Sequence, residues 1–279
     1  MILDADRLLS LAVPARSFAY DDRQTLLYAL ACAADPVADL PFILERDQKV
    51  VPSFAQILGF SDDWLEVAQV PVALVVHGGL DIRFDAPFAP SGCAEVETAI
   101  VGLGDKGEGR GGIIHQQMRI FQNGSLVATS LSSLFVRGAG GFGGNRGAEP
   151  ETITVPARPA DETFEVATAA NQSALFRLLG DRNLLHVDPE FARSAGFPAP
   201  ILHGAATFGT ACLAILKRCA RGEPERLSRF AARFTGPVFP GETLVFQLWR
   251  EPGQFYFRAF AQGRDKPVLD GGLAVVSGG

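Results

Sequence analysis

The 279-residue sequence has few of the residues that build metal centres, disulfide frameworks and polybasic surfaces. It contains four cysteines and four histidines, and the cysteines form no C-x-x-C pair. This pattern argues against a zinc site or a disulfide scaffold and favours a reducing compartment. Four of the 25 basic residues are lysine and the net charge is −6, so we expect no nucleic-acid surface.

Long hydrophobic runs and targeting signals are also missing. The longest apolar run, "VPVALVV" at 70–76, is too short to span a bilayer. The N-terminal segment carries two aspartates before its apolar run, unlike a secretory signal, and the chain does not end in the peroxisomal tripeptide. With 47% hydrophobic and 20% charged residues, we expect a globular cytoplasmic protein that does not bind membranes.

The hydrophobic pattern predicts two halves, each with a helix and an antiparallel sheet. In the first half, Asp21 or Asp22 caps a helix over 21–33, a short helix ends at Gly59, and Asn123-Gly124 forms a tight hairpin turn. In the second half, Asn171 begins a short helix, and a helix over 204–219 is apolar on nearly every face, which is typical of a buried helix. We expect strands near 71–84, 93–103, 111–121, 126–136, 228–237, 243–250, 254–262 and 267–276.

A faint internal repeat supports this plan. "RFDAPFAPSG" at 83–92 resembles "RFTGPVFPGE" at 233–242 in the spacing of its Arg-Phe pair, its prolines and its glycine. The Gly- and Pro-rich residues 138–165 between the halves are interpreted as a flexible connector. They include "GAGGFG", a G-x-G-x-x-G match, but no helix can follow it directly, so nucleotide binding is not expected.

The stretch "LLGDRNLLHVDPEFARSAGFPAPILHGAATFG" at 178–209 concentrates scarce polar groups in an irregular segment. Asp181 and His186 supply a carboxylate and an imidazole, the minimum equipment for holding a water and moving its protons. The amide of Gly204, at the start of the buried helix, can approach a carbonyl oxygen and stabilise developing negative charge. Together these groups indicate proton chemistry beside a carbonyl.

Spacing alone leaves other interpretations open. Asp181 can be a helix cap and His186 a core histidine. A metal site made of Asp181, His186 and His203 lacks helical His spacing, and a serine or cysteine nucleophile lacks its elbow motif.

The residues "GDRNLLHVDPEFARSAGFPAPILHG" closely resemble the signature of MaoC-like, (R)-specific enoyl-CoA hydratases (hydratase 2). "FVRGAGGFGG" and "YALACAADP" resemble the other half of the same unit, which also occurs as a domain of peroxisomal multifunctional enzyme type 2. The resemblance implies a double hot-dog fold of class α+β. It also implies reversible syn hydration of trans-2-enoyl-CoA to (3R)-3-hydroxyacyl-CoA, without a metal or a redox cofactor.

The resemblance also implies roles for individual residues. Asp181 and His186 handle the water, although which of them takes the proton stays open, Asn183 orients water or substrate, and the Gly204 amide holds the thioester carbonyl. Substrate contacts fall on His77, Gly78, Lys106 and Phe234. Two of these have plain alternatives, since Lys106 can be a solvated turn lysine and His77 can be structural.

Two positions depart from the family pattern. Leu184 replaces the usual proline and Leu179 the usual serine, so the loop can be less rigid and the activity slower or altered. His115, on a predicted strand, is interpreted as structural.

We therefore expect a non-catalytic repeat over residues 1–137 that accommodates the acyl chain, a linker over 138–162 and a catalytic repeat over 163–279. The expected protein is a homodimeric hydratase of fatty acid metabolism, such as β-oxidation, that binds acyl-CoA. Two alternatives stay open: a dehydratase of carrier-protein, branched or dicarboxylic thioesters, and a non-catalytic acyl-CoA-binding subunit. The sequence does not specify chain length or pathway.

Overall fold

The computed structural model describes residues 2–58, 60 and 63–277. The eleven strands in the described residues all join one long antiparallel sheet. The strands are β1 (Arg16–Tyr20), β2 (Val75–Phe84), β3 (Gly92–Asp105), β4 (Gly111–Gln122), β5 (Ser125–Arg137), β6 (Arg146–Gly147), β7 (Glu162–Ala167), β8 (Leu227–Phe234), β9 (Thr243–Glu251), β10 (Gln254–Ala261) and β11 (Pro267–Val276).

The helices are short except for one in each half. They are α1 (Ala5–Leu9), α2 (Asp22–Ala31), α3 (Leu40–Ile43), α4 (Asp63–Val67), α5 (Gln172–Phe176), α6 (Pro189–Ser194) and α7 (Gly204–Cys219). Short 3-10 helices cover Pro52–Gln56, Val72–Leu74, Arg177–Leu179, Leu184–His186 and Pro224–Arg226. Within the described residues, none of the helices combines the length and the hydropathy needed to cross a membrane.

The strand order divides the sheet into two halves that meet in its centre. The order is β1-β3-β4-β5-β2-β8-β11-β10-β9-β7, and β6 pairs with β3. The central pair β2–β8 runs from Gly79 opposite Arg233 to Arg83 opposite Arg229. The two copies of the internal repeat start at the ends of these two strands, at Arg83 and Arg233, so they occupy equivalent places in the two halves.

Each half wraps its sheet around one main helix, α2 or α7, so the predicted double hot-dog fold is confirmed. One hydrophobic core contains residues of both halves, among them Tyr28 and Phe208. The two helices approach closely at Gly209, where an added Cβ would lie 2.8 Å from the Tyr28 hydroxyl. A side chain at this position would therefore push the halves apart.

Most predicted elements are confirmed, including the helix capped by Asp21, the hairpin turn at Asn123-Gly124, and the buried helix. The predicted helix end at Gly59 lies outside the described residues. Three strands, β1, β6 and β7, were not predicted. β6 has two residues and lies in the segment that was predicted to be a connector. β1 and β7 have five and six residues and a mostly exposed pattern of side chains, so the apolar alternation that marks a strand is weak.

The Gly-rich segment after β5 is not the flexible connector that composition predicts. The Asp105 carboxylate accepts hydrogen bonds from the N–H groups of Gly107, Gly141, Gly143 and Gly144 at 2.7–3.0 Å. These bonds hold the pKa of Asp105 well below its ordinary value. The segment is therefore folded around a carboxylate of the first half. The domain boundaries at 137/138 and 162/163 stay a prediction.

Candidate active site

Asp181 and His186 lie in a loop whose shape is set by local polar contacts. Gly180 has a φ of +132°, which favours glycine and ends the preceding 3-10 helix. The Asp181 carboxylate accepts a hydrogen bond from the Asn183 N–H at 3.1 Å, and the Asn183 side-chain oxygen accepts one from the Leu185 N–H at 3.0 Å. Asn183 is exposed, and its oxygen caps the short helix that carries His186.

His186 is 9% exposed, and a backbone hydrogen bond fixes its tautomer. Its Nδ1 lies 2.8 Å from the Ile201 carbonyl oxygen. Because a carbonyl only accepts, Nδ1 carries the hydrogen and Nε2 keeps its lone pair. Burial lowers the pKa of His186, against opposing contributions from the Ile201 carbonyl and the Asp181 charge. His186 is therefore a neutral acceptor near neutral pH.

His203 is a member of this cluster that sequence reasoning considered only as a metal ligand. Its ring stacks on that of His186 with centroids 3.7 Å apart, and its Nε2 donates to the Asp181 backbone carbonyl at 3.2 Å. Burial lowers the pKa of His203 to about 3, and its buried Nδ1 has no partner among the described residues. His203 thus ties the Asp181 loop to the start of α7. Its place in "LHG", directly before the buried helix, was the available signal.

The same three residues bring potential metal ligands together. One ligand atom each from Asp181, His186 and His203 lie within 4.8 Å of one another. The planes of the two stacked rings differ by 27°, and one nitrogen of each ring faces a backbone carbonyl. Imidazole lone pairs lie in the ring plane, so stacked rings cannot converge on one ion. The geometry fits a metal site poorly.

The first turn of α7 presents backbone N–H groups that have no acceptor within the helix. Its first backbone hydrogen bond runs from the Thr207 N–H to the His203 carbonyl at 3.1 Å. The N–H groups of Gly204, Ala205 and Ala206 are therefore available, at the positive end of the helix dipole. The N-cap residue His203 makes no side-chain capping bond, so its side chain does not occupy them. Gly204 is half-buried, and an added Cβ would contact the Phe234 ring at 3.4 Å.

A β-bulge turns His77 towards this site. His77 pairs with Leu134 and Gly79 with the adjacent Ser133, so Gly78 is an extra residue in β2. Neighbouring residues on β5 face opposite sides, so the bulge places His77 and Gly79 on opposite faces of the sheet. The His77 ring lies 4.9 Å from that of Phe234. Burial lowers the pKa of His77 to about 4, and the Asp181 charge opposes this change, which places His77 within electrostatic reach of Asp181.

Lys106 lies elsewhere. It is exposed and lines a cleft of about 350 Å³ on the outer face of the sheet, together with Gly78, His115 and residues of the 145–153 segment. Among the described residues, no contact joins the Lys106 side chain to Asp181 or His186. The structure therefore brings together seven of the eight predicted site residues, and the eighth, Lys106, lines a cleft together with Gly78.

The cluster combines three chemical capacities. A carboxylate and a neutral imidazole can hold a water and exchange protons with it. Free N–H groups at a helix N-terminus can stabilise negative charge on a carbonyl oxygen. The Phe234 ring, which an added Cβ at Gly204 would contact at 3.4 Å, supplies an apolar surface beside Gly204.

Each half of the chain matches the model of a known protein family. Residues 151–266 match the model of the MaoC like domain, and residues 18–138 match the MFE-2 hydratase 2 N-terminal domain. The chain is 42% identical to the 3-hydroxyacyl-thioester dehydratase Y of Mycobacterium tuberculosis, covering 91% of this chain and 92% of that protein. It is 33% identical to the peroxisomal enoyl-CoA hydratase 2 of Arabidopsis thaliana, with 96% and 94% coverage.

A solved structure supports the same relationship. The crystal structure of a MaoC-like dehydratase from Phytophthora capsici superimposes with a TM-score of 0.88 at 30% identity, covering 98% of this chain and 99% of that one. Sequence and fold agree over nearly the whole length of both proteins. The chain therefore belongs to the MaoC-like, hydratase 2 family of hydro-lyases.

Proposed function

We propose that the protein is an (R)-specific 2-enoyl-CoA hydratase that catalyses the reversible syn hydration of trans-2-enoyl-CoA to (3R)-3-hydroxyacyl-CoA. One observation carries the proposal: Asp181 and a neutral His186 lie together beside the uncapped N-terminus of α7. This is the equipment needed to add water next to a carbonyl.

In the proposed reaction, the thioester oxygen accepts a hydrogen bond from the Gly204 N–H, which withdraws electrons from the conjugated double bond. A water held between the Asp181 carboxylate and His186 Nε2 forms its new bond to C3 and gives one proton to the pair. The π electrons move towards the thioester oxygen, and C2 then takes one proton from the pair on the same face. The pair ends with the protons it began with, and it titrates as one coupled unit.

The remaining predicted contacts belong to the same proposal. His77 and Phe234 form one wall beside Gly204, and Gly78 continues into the outer cleft where Lys106 can pair with a CoA phosphate. Asn183 keeps the loop in shape through its cap on the short helix of His186. We also propose a cytoplasmic homodimer of fatty acid metabolism that requires no metal and no redox cofactor.

The test is the loss of enoyl-thioester absorbance when the purified protein meets crotonyl-CoA and, separately, trans-2-decenoyl-CoA. Dehydrogenases specific for 3R and 3S alcohols trap the product. Turnover that yields 3R product alone is expected, and its two rates give a first measure of the acyl pocket. A 3S product, or no turnover on either thioester, contradicts the proposal.

A second candidate uses the same site in the opposite direction, as a dehydratase of 3-hydroxyacyl thioesters. The relative named 3-hydroxyacyl-thioester dehydratase Y, at 42% identity, favours it. Comparing rates on CoA and carrier-protein thioesters, including branched and dicarboxylic acyl groups, separates the two. A preference for the carrier-protein 3-hydroxyacyl substrate supports the dehydratase.

A further inference from the structure

A buried glutamine of the first half contacts the first turn of α7. Gln56 ends the 3-10 helix Pro52–Gln56 and is 7% exposed. Its Nε2 donates to the Ala205 carbonyl at 2.9 Å and to the Tyr28 hydroxyl at 2.6 Å. The Tyr28 hydroxyl in turn donates to Ser53 at 2.8 Å. A chain of hydrogen bonds thus runs from buried side chains of the first half to the helix end that carries Gly204.

The contact falls on a peptide group that matters for the proposed chemistry. The Ala205 carbonyl shares its peptide plane with the Ala206 N–H, one of the three N–H groups of α7 without an acceptor in the helix. A hydrogen bond to a carbonyl fixes its peptide plane and polarises the N–H on its other side. Gln56 therefore acts on the orientation and the strength of these donors.

Stability alone does not explain this glutamine. Its Oε1 is buried and has no partner among the described residues. A buried acceptor without a partner destabilises the folded state, and an apolar side chain of the same length would avoid that penalty. Ser53 and Tyr28 are satisfied by each other, so they do not require Gln56 either.

We propose that Gln56 is a positioning residue: it holds the Ala205–Ala206 peptide, and with it the Gly204 amide, in the orientation that polarises the thioester carbonyl. The non-catalytic half thereby controls the oxyanion donors of the catalytic half. This inference rests on the proposed function.

The test compares Gln56→Met with Gln122→Met. Gln122 offers a matched control, since it is 9% exposed, its Nε2 donates to the hydroxyl of Tyr20 at 2.6 Å, and it lies on β4, away from α7. For both variants we measure Tm, kcat and KM on the enoyl-CoA that the wild type hydrates fastest. We also record the absorbance of bound trans-cinnamoyl-CoA, because its maximum moves to longer wavelength when the carbonyl is polarised.

We expect Gln56→Met to lower kcat by about tenfold with KM nearly unchanged, and to reduce the red shift of the bound thioester. Gln122→Met should keep both at wild-type values, whatever its Tm. Tyr28→Phe removes the hydroxyl that shares the Gln56 amide and should act in the same direction, more weakly. It provides the test if Gln56→Met does not fold.

A wild-type kcat and red shift in Gln56→Met overturn the inference while leaving the proposed function intact. An equal loss of kcat in Gln122→Met also overturns it, because the effect would then be one of general stability. Absence of turnover in the wild type contradicts the proposed function, and this inference fails with it.

Discussion

The N-termini of the two main helices, α2 and α7, are built in opposite ways. In α2, the Asp21 side chain accepts from the Gln24 N–H while the Gln24 side chain accepts from the Asp21 N–H, a complete capping box. In α7, the N-cap residue His203 turns its ring away to the Asp181 carbonyl and makes no capping bond. The first N–H groups of α2 are capped by a side chain, whereas those of α7 have no side-chain cap.

The segments that precede the two helices also differ, both in length and in the residues that they carry. In the first half, β1 ends at Tyr20 and the cap Asp21 follows at once. In the second half, residues 168–203 separate β7 from α7 and carry Asp181 and His186. Under the proposed function, the two copies of one fold divide their tasks: the first contributes stability and the wall residue His77, and the second contributes the chemistry.

Removing either member of the water-handling pair should have the largest effect, because only the second half carries it. We expect Asp181→Asn and His186→Gln each to lower kcat by about 10²–10⁴. The decrease in kcat is measured from the rate at which the enoyl-thioester absorbance is lost. Asp4→Asn, a change at the N-cap of α1 far from the pair, serves as the control and should leave the rate unchanged. Near wild-type rates in both pair variants would show that the chemistry lies elsewhere.

Giving α7 a cap should erase the difference between the helices. An Asn at position 203 can accept from the first-turn N–H groups and compete with the thioester, so we expect His203→Asn to lower kcat on the order of 10²-fold. The opposite exchange, Asp21→Ala, removes the cap of α2 and should cost about 0.5–2 kcal/mol of stability without changing the rate. Kinetics and denaturant unfolding of both variants check this. Equal kinetic effects would refute the division of tasks.

The pH dependence tests the protonation state of the pair. Burial lowers the pKa of His186 below 6.5, so its neutral form persists as the pH falls past that value. We expect kcat/KM to keep its maximal value near pH 6.5. It should decrease only at lower pH, with the slope expected for the uptake of one proton. A titration midpoint above 6.5 would mean that His186 is stabilised in its charged form.

The stability of the folded protein also depends on pH, and this limits the pH range over which the kinetic titration can be measured. His77 and His203 have pKa values of about 4 and about 3, against 6.5 when unfolded, so the unfolded chain binds protons first. Their contribution is complete above pH 6.5 and declines by roughly 1.4 kcal/mol per group and pH unit below it. Tm should therefore fall between about pH 6 and about pH 4, and His77→Gln should flatten that slope. A Tm independent of pH would contradict burial of these rings.

The smallest effect concerns Leu184, which stands where the hydratase 2 signature that the sequence resembles has proline. Leu184 is the first residue of its 3-10 helix, and Asn183 before it has φ −55° and ψ 127°, values that a residue preceding proline adopts readily. Leu184→Pro should therefore raise stability by about 0.4–1 kcal/mol with kcat retained. Urea unfolding measures this, and a loss of stability would show that the loop needs the Leu184 N–H.

Local patterns predicted most of this molecule. Alternating apolar residues predicted the long strands, Asn123-Gly124 predicted the hairpin, and the polar residues concentrated at 178–209 predicted the irregular segment that carries Asp181 and His186. These features depend on neighbours in the chain, where residue preferences are strong.

The features that escaped prediction depend on distant partners. His77 turns inward because Gly78 bulges against β5. The Gly-rich segment is folded because its N–H groups donate hydrogen bonds to the carboxylate of Asp105, which lies on another strand. Gln56 and Ala205 are 149 residues apart, and no local pattern marks their contact. Such contacts form only when parts of the chain that are distant in sequence come together in the fold.

The most direct measurement is a crystal structure of the slow Asp181→Asn variant with a bound (3R)-3-hydroxyacyl-CoA. The thioester oxygen should lie within about 2.7–3.1 Å of the Gly204 nitrogen, with the 3-hydroxyl between residue 181 and His186 Nε2. A thioester bound away from the α7 N-terminus, or a 3-hydroxyl out of reach of His186, would contradict the assignment of the reaction to the second half.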